Sequence, residues 1–121
     1  GASEWKIEVE GKQAHSSGVF GSAGYGSIYE AARIVNAFRE KLSHEKYLTF
    51  NPGLFIGGSE VTYNDNAQKG ETSGKTNIIS PKTVVIGDLR SYRSILREVK
   101  RRFISKMVFL PCHLRRVTMH C

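Results

Sequence analysis

The seven residues from Glu4 to Glu10 (EWKIEVE) alternate without exception, Trp5, Ile7 and Val9 pointing to one side and Glu4, Lys6, Glu8 and Glu10 to the other. A period of two belongs to a β-strand with one dry and one wet face. A sheet built on such a strand has one face to cover, so helices are expected on that side only.

A helix is expected from about Ser27. Ser27 and Glu30 have capping-box spacing, and Ile28, Ala31, Ala32, Val35, Phe38 and Leu42 recur on one face as far as Ser43 or His44. Before it, Gly11 to Gly18 reads as a turn followed by a polar segment. The Gly/Ser stretch to Gly26 reads as small and flexible, with His15 the most chemically capable residue in it. After the helix, Tyr47 to Phe50 reads as strand, interrupted at Asn51-Pro52-Gly53. Strand resumes at Leu54 to Ile56, and Val61 to Tyr63 closes the run. The polar Asn64 to Ser73 (NDNAQKGETS) is expected to be a hairpin loop.

From Gly74 to Arg90 (GKTNIISPKTVVIGDLR), a corner leads into a β-branched strand at Thr83 to Ile86 that stops at Gly87-Asp88. Asn77 and Arg90 flank that strand. An amide with two donors and an acceptor, and a guanidinium fork suited to a carboxylate, are ligand-holding groups if they face the same way. A second helix is expected from Ser91 or Ser94, with Ile95, Leu96, Val99, Phe103, Ile104 and Met107 at helical spacing and Pro111 ending it; Leu114 to Met119 reads as a last short strand. The order is then βαββαβ, an α+β ferredoxin-like sandwich in which a four-stranded antiparallel sheet carries two helices on one face.

At 121 residues the chain has the size of one domain. No apolar run approaches the roughly 20 residues that span a bilayer as a helix. Residues 1–3 (Gly-Ala-Ser) read as a processed start or an expression scar, leaving 4–121 as the domain. Cys112 and Cys121 sit together at the end, where they brace nothing. The net charge is +7, and half of the 18 Lys and Arg fall between Arg90 and Arg116. That balance admits two readings, a solvated helix face or the phosphate-binding stripe of a basic ferredoxin-like nucleic-acid-binding module. Against the second, no segment has the aromatic pattern of an RNA-binding central strand.

Four stretches together carry a resemblance: Gly11-Lys12-Gln13-Ala14-His15-Ser16-Ser17, the helix entry Ile28 to Arg33, the strand from Asn51-Pro52-Gly53 to Gly57-Gly58, and Lys75-Thr76-Asn77 through Asp88-Leu89-Arg90. In this order they resemble the dimerisation (lid) domain of the M20 family of zinc metallopeptidases, especially its glutamate carboxypeptidase-like branch. The resemblance covers about Trp5 to Arg90; the tail Phe109 to Cys121 departs from the family's usual final strand. It implies a lid inserted in a catalytic domain that holds zinc and cleaves a peptide or amide bond beside a free carboxylate. It also implies a homodimer, joined through a helix and an edge strand. His15 would then stabilise the oxyanion, in the partner subunit's site, while Asn77 and Arg90 hold the substrate carboxylate. No cofactor is expected on this chain itself: its four histidines show neither His-x-Asp nor His-Glu-x-x-His spacing, so zinc is expected in the catalytic domain. Blander roles stand beside these: His15 as a solvated loop histidine, Asn77 as a turn residue, and Arg90 as a partner of Asp88.

Overall fold

The computed structural model describes residues 2–91 and 114–120. Strand β1 (Ala2–Gly11) leads through a short β2 (Ala14–His15) and a 3-10 turn (Ser16–Gly18) to helix α1 (Gly26–Leu42). Then come β3 (Leu48–Gly58), β4 (Glu60–Asn64), β5 (Lys69–Ser73), β6 (Ile78–Ile79), β7 (Lys82–Ser91) and β8 (Leu114–His120). The main sheet runs in the order β3-β7-β1-β8 with antiparallel neighbours throughout, β2 and β6 pair separately, and β4 and β5 form a hairpin. Of the two expected starts of the second helix, Ser91 is the last residue of β7; Ser94 and the rest of that helix to Pro111, with its basic residues, and the Cys112, His113 and Cys121 positions lie outside the described residues.

The dry face of β1 is as the alternation requires: Trp5, Ile7 and Val9 are buried and α1 packs over them. The core joins these three to Ala31, Ile34, Phe38 and Leu42 of α1, Leu48 of β3, and Val85 and Leu89 of β7. Trp5 is its centre, stacked on Phe50 with ring centroids 4.4 Å apart and edge-on to Phe38 at 6.4 Å. Its indole Nε1 donates to the Asp88 carbonyl at 2.9 Å, so its one polar atom is satisfied.

Four expectations change. The helix begins at Gly26, and Ser27 does not cap it. Its hydroxyl is buried and lies 2.8 to 3.0 Å from the carbonyl and hydroxyl oxygens of Ser80 and the hydroxyl of Thr83. Glu30, the other half of the expected box, is held by Arg33. The buried stripe of α1 is therefore Ser27, Ala31, Ile34, Phe38 and Leu42, while Ile28 and Ala32 are exposed and Val35 is half-buried. That leaves a second apolar row beside the core-facing one.

Asn51-Pro52-Gly53 does not interrupt its strand. β3 runs through it, with a register shift between Pro52 and Leu54 that accommodates the extra residue as a bulge. Proline is tolerated there because β3 has only β7 as a sheet neighbour among the described residues, and the bulge lies beside it. The expected loop Asn64 to Ser73 is a turn only at its start, where the Asn64 side-chain oxygen accepts from the amides of Asn66 and Ala67. Lys69–Ser73 then pairs back as β5.

Finally, β7 continues past Gly87 to Ser91. A Cβ at Gly87 would sit 1.8 Å from the Asn51 carbonyl oxygen and 2.5 Å from the Trp5 ring, so the glycine clears space for the indole and ends nothing. β7 is buried on both faces from Thr83 to Gly87. α1 packs on one face, and β4 of the β4–β5 hairpin lies against β7 as well, with Ile56 beside Val84 on the neighbouring strand. That is why its sequence is a continuous apolar run rather than an alternation.

Candidate functional site

His15 and Asn77 come together through backbone pairing. The β2–β6 ladder sets His15 opposite Ile78 and Ala14 opposite Ile79; one residue further, the Ser16 amide donates to the Asn77 carbonyl at 2.9 Å. The Gly11 amide donates to the Pro81 carbonyl at 2.8 Å, so the whole segment after β1 lies alongside the segment before β7. This corner is tied to the helix start by the buried hydroxyl group of Ser27, Ser80 and Thr83, whose Ser80 member also reaches the carbonyls of Gly58 and Lys82. Gly26 completes the seam: it has φ of +81°, and a Cβ there would lie 2.4 Å from Ile79. A left-handed conformation and a close approach thus both demand glycine.

The imidazole has a defined orientation. His15 caps the 3-10 turn, and its Nδ1 accepts from the Ser17 amide at 3.1 Å and lies 2.9 Å from the Ser17 hydroxyl. A backbone amide only donates, so Nδ1 carries no proton in this arrangement and the neutral ring holds its proton on Nε2. His15 is exposed, and Nε2 has no partner among the described residues. The corner therefore presents an outward N–H donor, the group needed to meet a negatively charged oxygen. Asn77 is exposed as well. Its backbone carbonyl serves the ladder, leaving the side-chain amide without a partner among the described residues.

Arg90 is elsewhere. It stands near the opposite end of β7, eight residue steps from Lys82, which at a strand rise of about 3.3 Å is about 26 Å. Its Nε donates to Asp88 Oδ2 at 3.2 Å across a well-exposed pair, the blander role allowed by the sequence. Such a pair contributes little to stability, so the guanidinium is readily exchanged to another carboxylate. Within one subunit, then, Asn77 and Arg90 do not share a small ligand.

The wet face of β1 carries Glu4, Lys6, Glu8 and Glu10, with Lys6 bonded to Glu8 at 3.1 Å and lying 5.6 Å from the Tyr63 ring centre. The Tyr63 phenol is pushed above its ordinary pKa by burial, then by Glu4 and Asp65, with Lys6 opposing. This face has charged residues where a stacking platform for bases would need aromatic ones. Among the described residues no group of three or more His, Cys, Asp or Glu is placed to hold a metal, so the site residues present do not fit a zinc ion. No helix among the described residues is long and apolar enough to cross a membrane.

Two features escaped the sequence reading. The Ser27, Ser80 and Thr83 hydroxyls gave no signal, because Ser27 lies more than fifty residues from the other two. The stretch after His15 is not loose: Val19 donates to the Ser16 carbonyl, and Gly21 and Ala23 both donate to the Gly18 carbonyl. It ends in three mutually touching exposed rings, Phe20, Tyr25 and Tyr29.

Comparison with known proteins gives concordant results. A tripeptidase from Staphylococcus aureus aligns over 98% of this chain and 28% of its own, with a TM-score of 0.66 and 18% identity. An aminopeptidase from Bacillus cereus aligns over 98% and 29%, with 0.61 and 19%. An amidase of the hydantoinase/carbamoylase family from Burkholderia phymatum aligns over 98% and 27%, with 0.67 and 10%. These likenesses are of fold, and the chain spans under a third of each of these proteins. Among curated proteins the comparison finds no significant match. The sequence profile of the peptidase dimerisation domain matches residues 1–108, and the chain belongs to that family, the M20 peptidase dimerisation domains.

Proposed function

We propose that this domain is the lid of a zinc-dependent, carboxypeptidase-like hydrolase, pairing with a second copy of itself and lending residues to an active site whose metal and remaining groups lie on a catalytic part of the polypeptide. The observation that carries the reading is the exposed corner in which backbone pairing brings His15, whose Nε2–H is free to donate, and Asn77 within one residue of each other across the β2–β6 ladder. In this reading His15 donates to the oxygen that gains charge as the scissile carbonyl is attacked. The frame that holds it is the split βαβ sandwich, which the strand order β3-β7-β1-β8 supports.

The separation of Arg90 from Asn77 supports a carboxylate shared between the two subunits. Each site takes His15 and Asn77 from one subunit and Arg90 from the other, so that the amide and the guanidinium meet on one ligand only across the pair. Replacing Asn77 or Arg90 by alanine, in a polypeptide that carries the catalytic part, is expected to raise KM for a substrate with a free carboxylate by about tenfold to a hundredfold, the worth of a charge-assisted hydrogen bond. The matching carboxamide substrate should hardly respond; an equal loss on both would remove the carboxylate role.

Pairing is assigned to α1 and β3. A groove of about 450 Å3 lies between them, lined by the second apolar row of the helix and the edge strand, with Ala32, Val35, Phe50 and Phe55 prominent and Phe55 43% exposed. β3 has only β7 as a sheet neighbour among the described residues, and an uncovered edge invites pairing. Sedimentation of the 121-residue chain should give a dimer, and Val35→Asp a folded monomer. A wild-type chain that stays monomeric at high concentration would exclude this interface.

A further inference from the structure

Phe20, Tyr25 and Tyr29 are 78%, 62% and 54% exposed, yet they are not scattered. Their ring centroids lie 6.0 to 6.3 Å apart, so they form one contiguous aromatic surface. Single exposed rings need no explanation, whereas a contiguous patch does. Tyr25 and Tyr29 are one helical turn apart at the start of α1. Phe20 is five residues after His15, in the segment closed by the Ser16 and Gly18 carbonyls. Five residue steps span at most about 18 Å, and the turns at Ser16 and Gly18 shorten that path. The patch and the imidazole therefore ride on one hydrogen-bonded unit.

We propose that this aromatic surface is where the catalytic part of the hydrolase seats against the lid, an inference that rests on the proposed role of His15. A histidine that acts at a reacting atom must come within about 3 Å of it. Polypeptide bearing that atom then closes over the neighbouring surface of the same unit. The chain spans 28% of the Staphylococcus aureus tripeptidase, so most of a protein of that kind lies outside the domain and is available to cover the patch. Composition fits the role: tyrosine and phenylalanine are enriched in interface cores, and each phenol adds a hydrogen bond at the rim of its own apolar contact. The surface it fits is apolar with carbonyl or carboxylate acceptors facing the two hydroxyls. A substrate side chain is the poorer occupant, because small ligands take concave sites and rings more than half exposed stand proud of the surface.

Hydroxyl-radical footprinting tests the seat on two samples: the 121-residue chain, and a polypeptide that carries the domain with its catalytic part, without substrate. Phe20, Tyr25 and Tyr29 should oxidise readily in the first. In the second they should slow by about fivefold or more, as side chains entering a water-excluded interface core do. Equal rates in both samples would overturn the proposal. So would protection already complete in the isolated chain, which would make a second lid the occupant, or protection that appears only when substrate is added. The His15→Ala variant separates this from the catalytic role. If turnover survives that change while the rings stay protected, the role of His15 fails and the seat stands.

Discussion

Replacing Trp5 by alanine is expected to lower the stability of this domain by about 3 to 5 kcal/mol, the cost of deleting a large aromatic side chain from a packed core. Total stabilities of about 5 to 15 kcal/mol leave little after such a loss. The reason is specific. The indole is 1% exposed, stacks on Phe50, meets Phe38 edge-on and fills the space that Gly87 leaves open on the central strand. Removing it empties that space and strips the Asp88 carbonyl of its donor at once. Chemical denaturation of the 121-residue chain should show the shift as a lower midpoint. Trp5→Phe should fall between the two, since it keeps the ring contacts but neither the volume nor the N–H. A loss under about 1 kcal/mol for the alanine variant would mean that the core is not organised around this residue.

How much of this was legible beforehand depends on where each signal came from. The strand β1 was plain because alternation is a local property of seven residues. The stripe of α1 was read rotated, with Ile28 and Val35 in place of Ile34, because the helix is turned by a contact the sequence does not display: Ser27 is drawn into hydroxyls supplied by Ser80 and Thr83. Strand β5 was missed because Lys-Gly-Glu-Thr-Ser has no apolar residue to alternate and only Thr72 as a β-branched one. Its pairing with β4 brings the backbone of Gly70 close under Ile56, where a Cβ would lie 1.9 Å from the isoleucine side chain. Gly87-Asp88 looked like a turn because glycine serves both conformational freedom and clearance, and only the packed Trp5 shows which one applies.

The site divides in the same way. His15, Asn77 and Arg90 were identifiable as residue types with a resemblance behind them. That the first two share a corner, and that the third stands about a strand's length away, follows from long-range pairing across β2, β6 and β7. The tautomer of His15 likewise needed the position of the Ser17 amide. The aromatic surface was hidden in plain sight, as its members straddle a stretch whose glycines and serines suggested looseness.

The second large effect concerns His15. In a polypeptide with its catalytic part, His15→Ala is expected to lower kcat by about 10²- to 10³-fold with little change in KM, as the loss of one donor to an oxyanion does. The domain itself should remain folded, since the side chain is exposed and its one partner is Ser17, two residues away. His15→Gln, which keeps a donor of similar reach, should recover part of the rate. Unaltered kcat in the alanine variant would remove the imidazole from the reaction.

Mixing two inactive dimers addresses the central claim most directly. One carries His15→Ala with an intact catalytic part, the other an intact lid with a disabled catalytic part, and the subunits are allowed to exchange. If the lid corner serves its partner's site, each mixed dimer holds one complete site, and activity should return in proportion to the mixed dimers formed. If exchange is demonstrated and the mixture stays as inactive as its parents, the corner does not reach across the pair, and the account given for it is wrong.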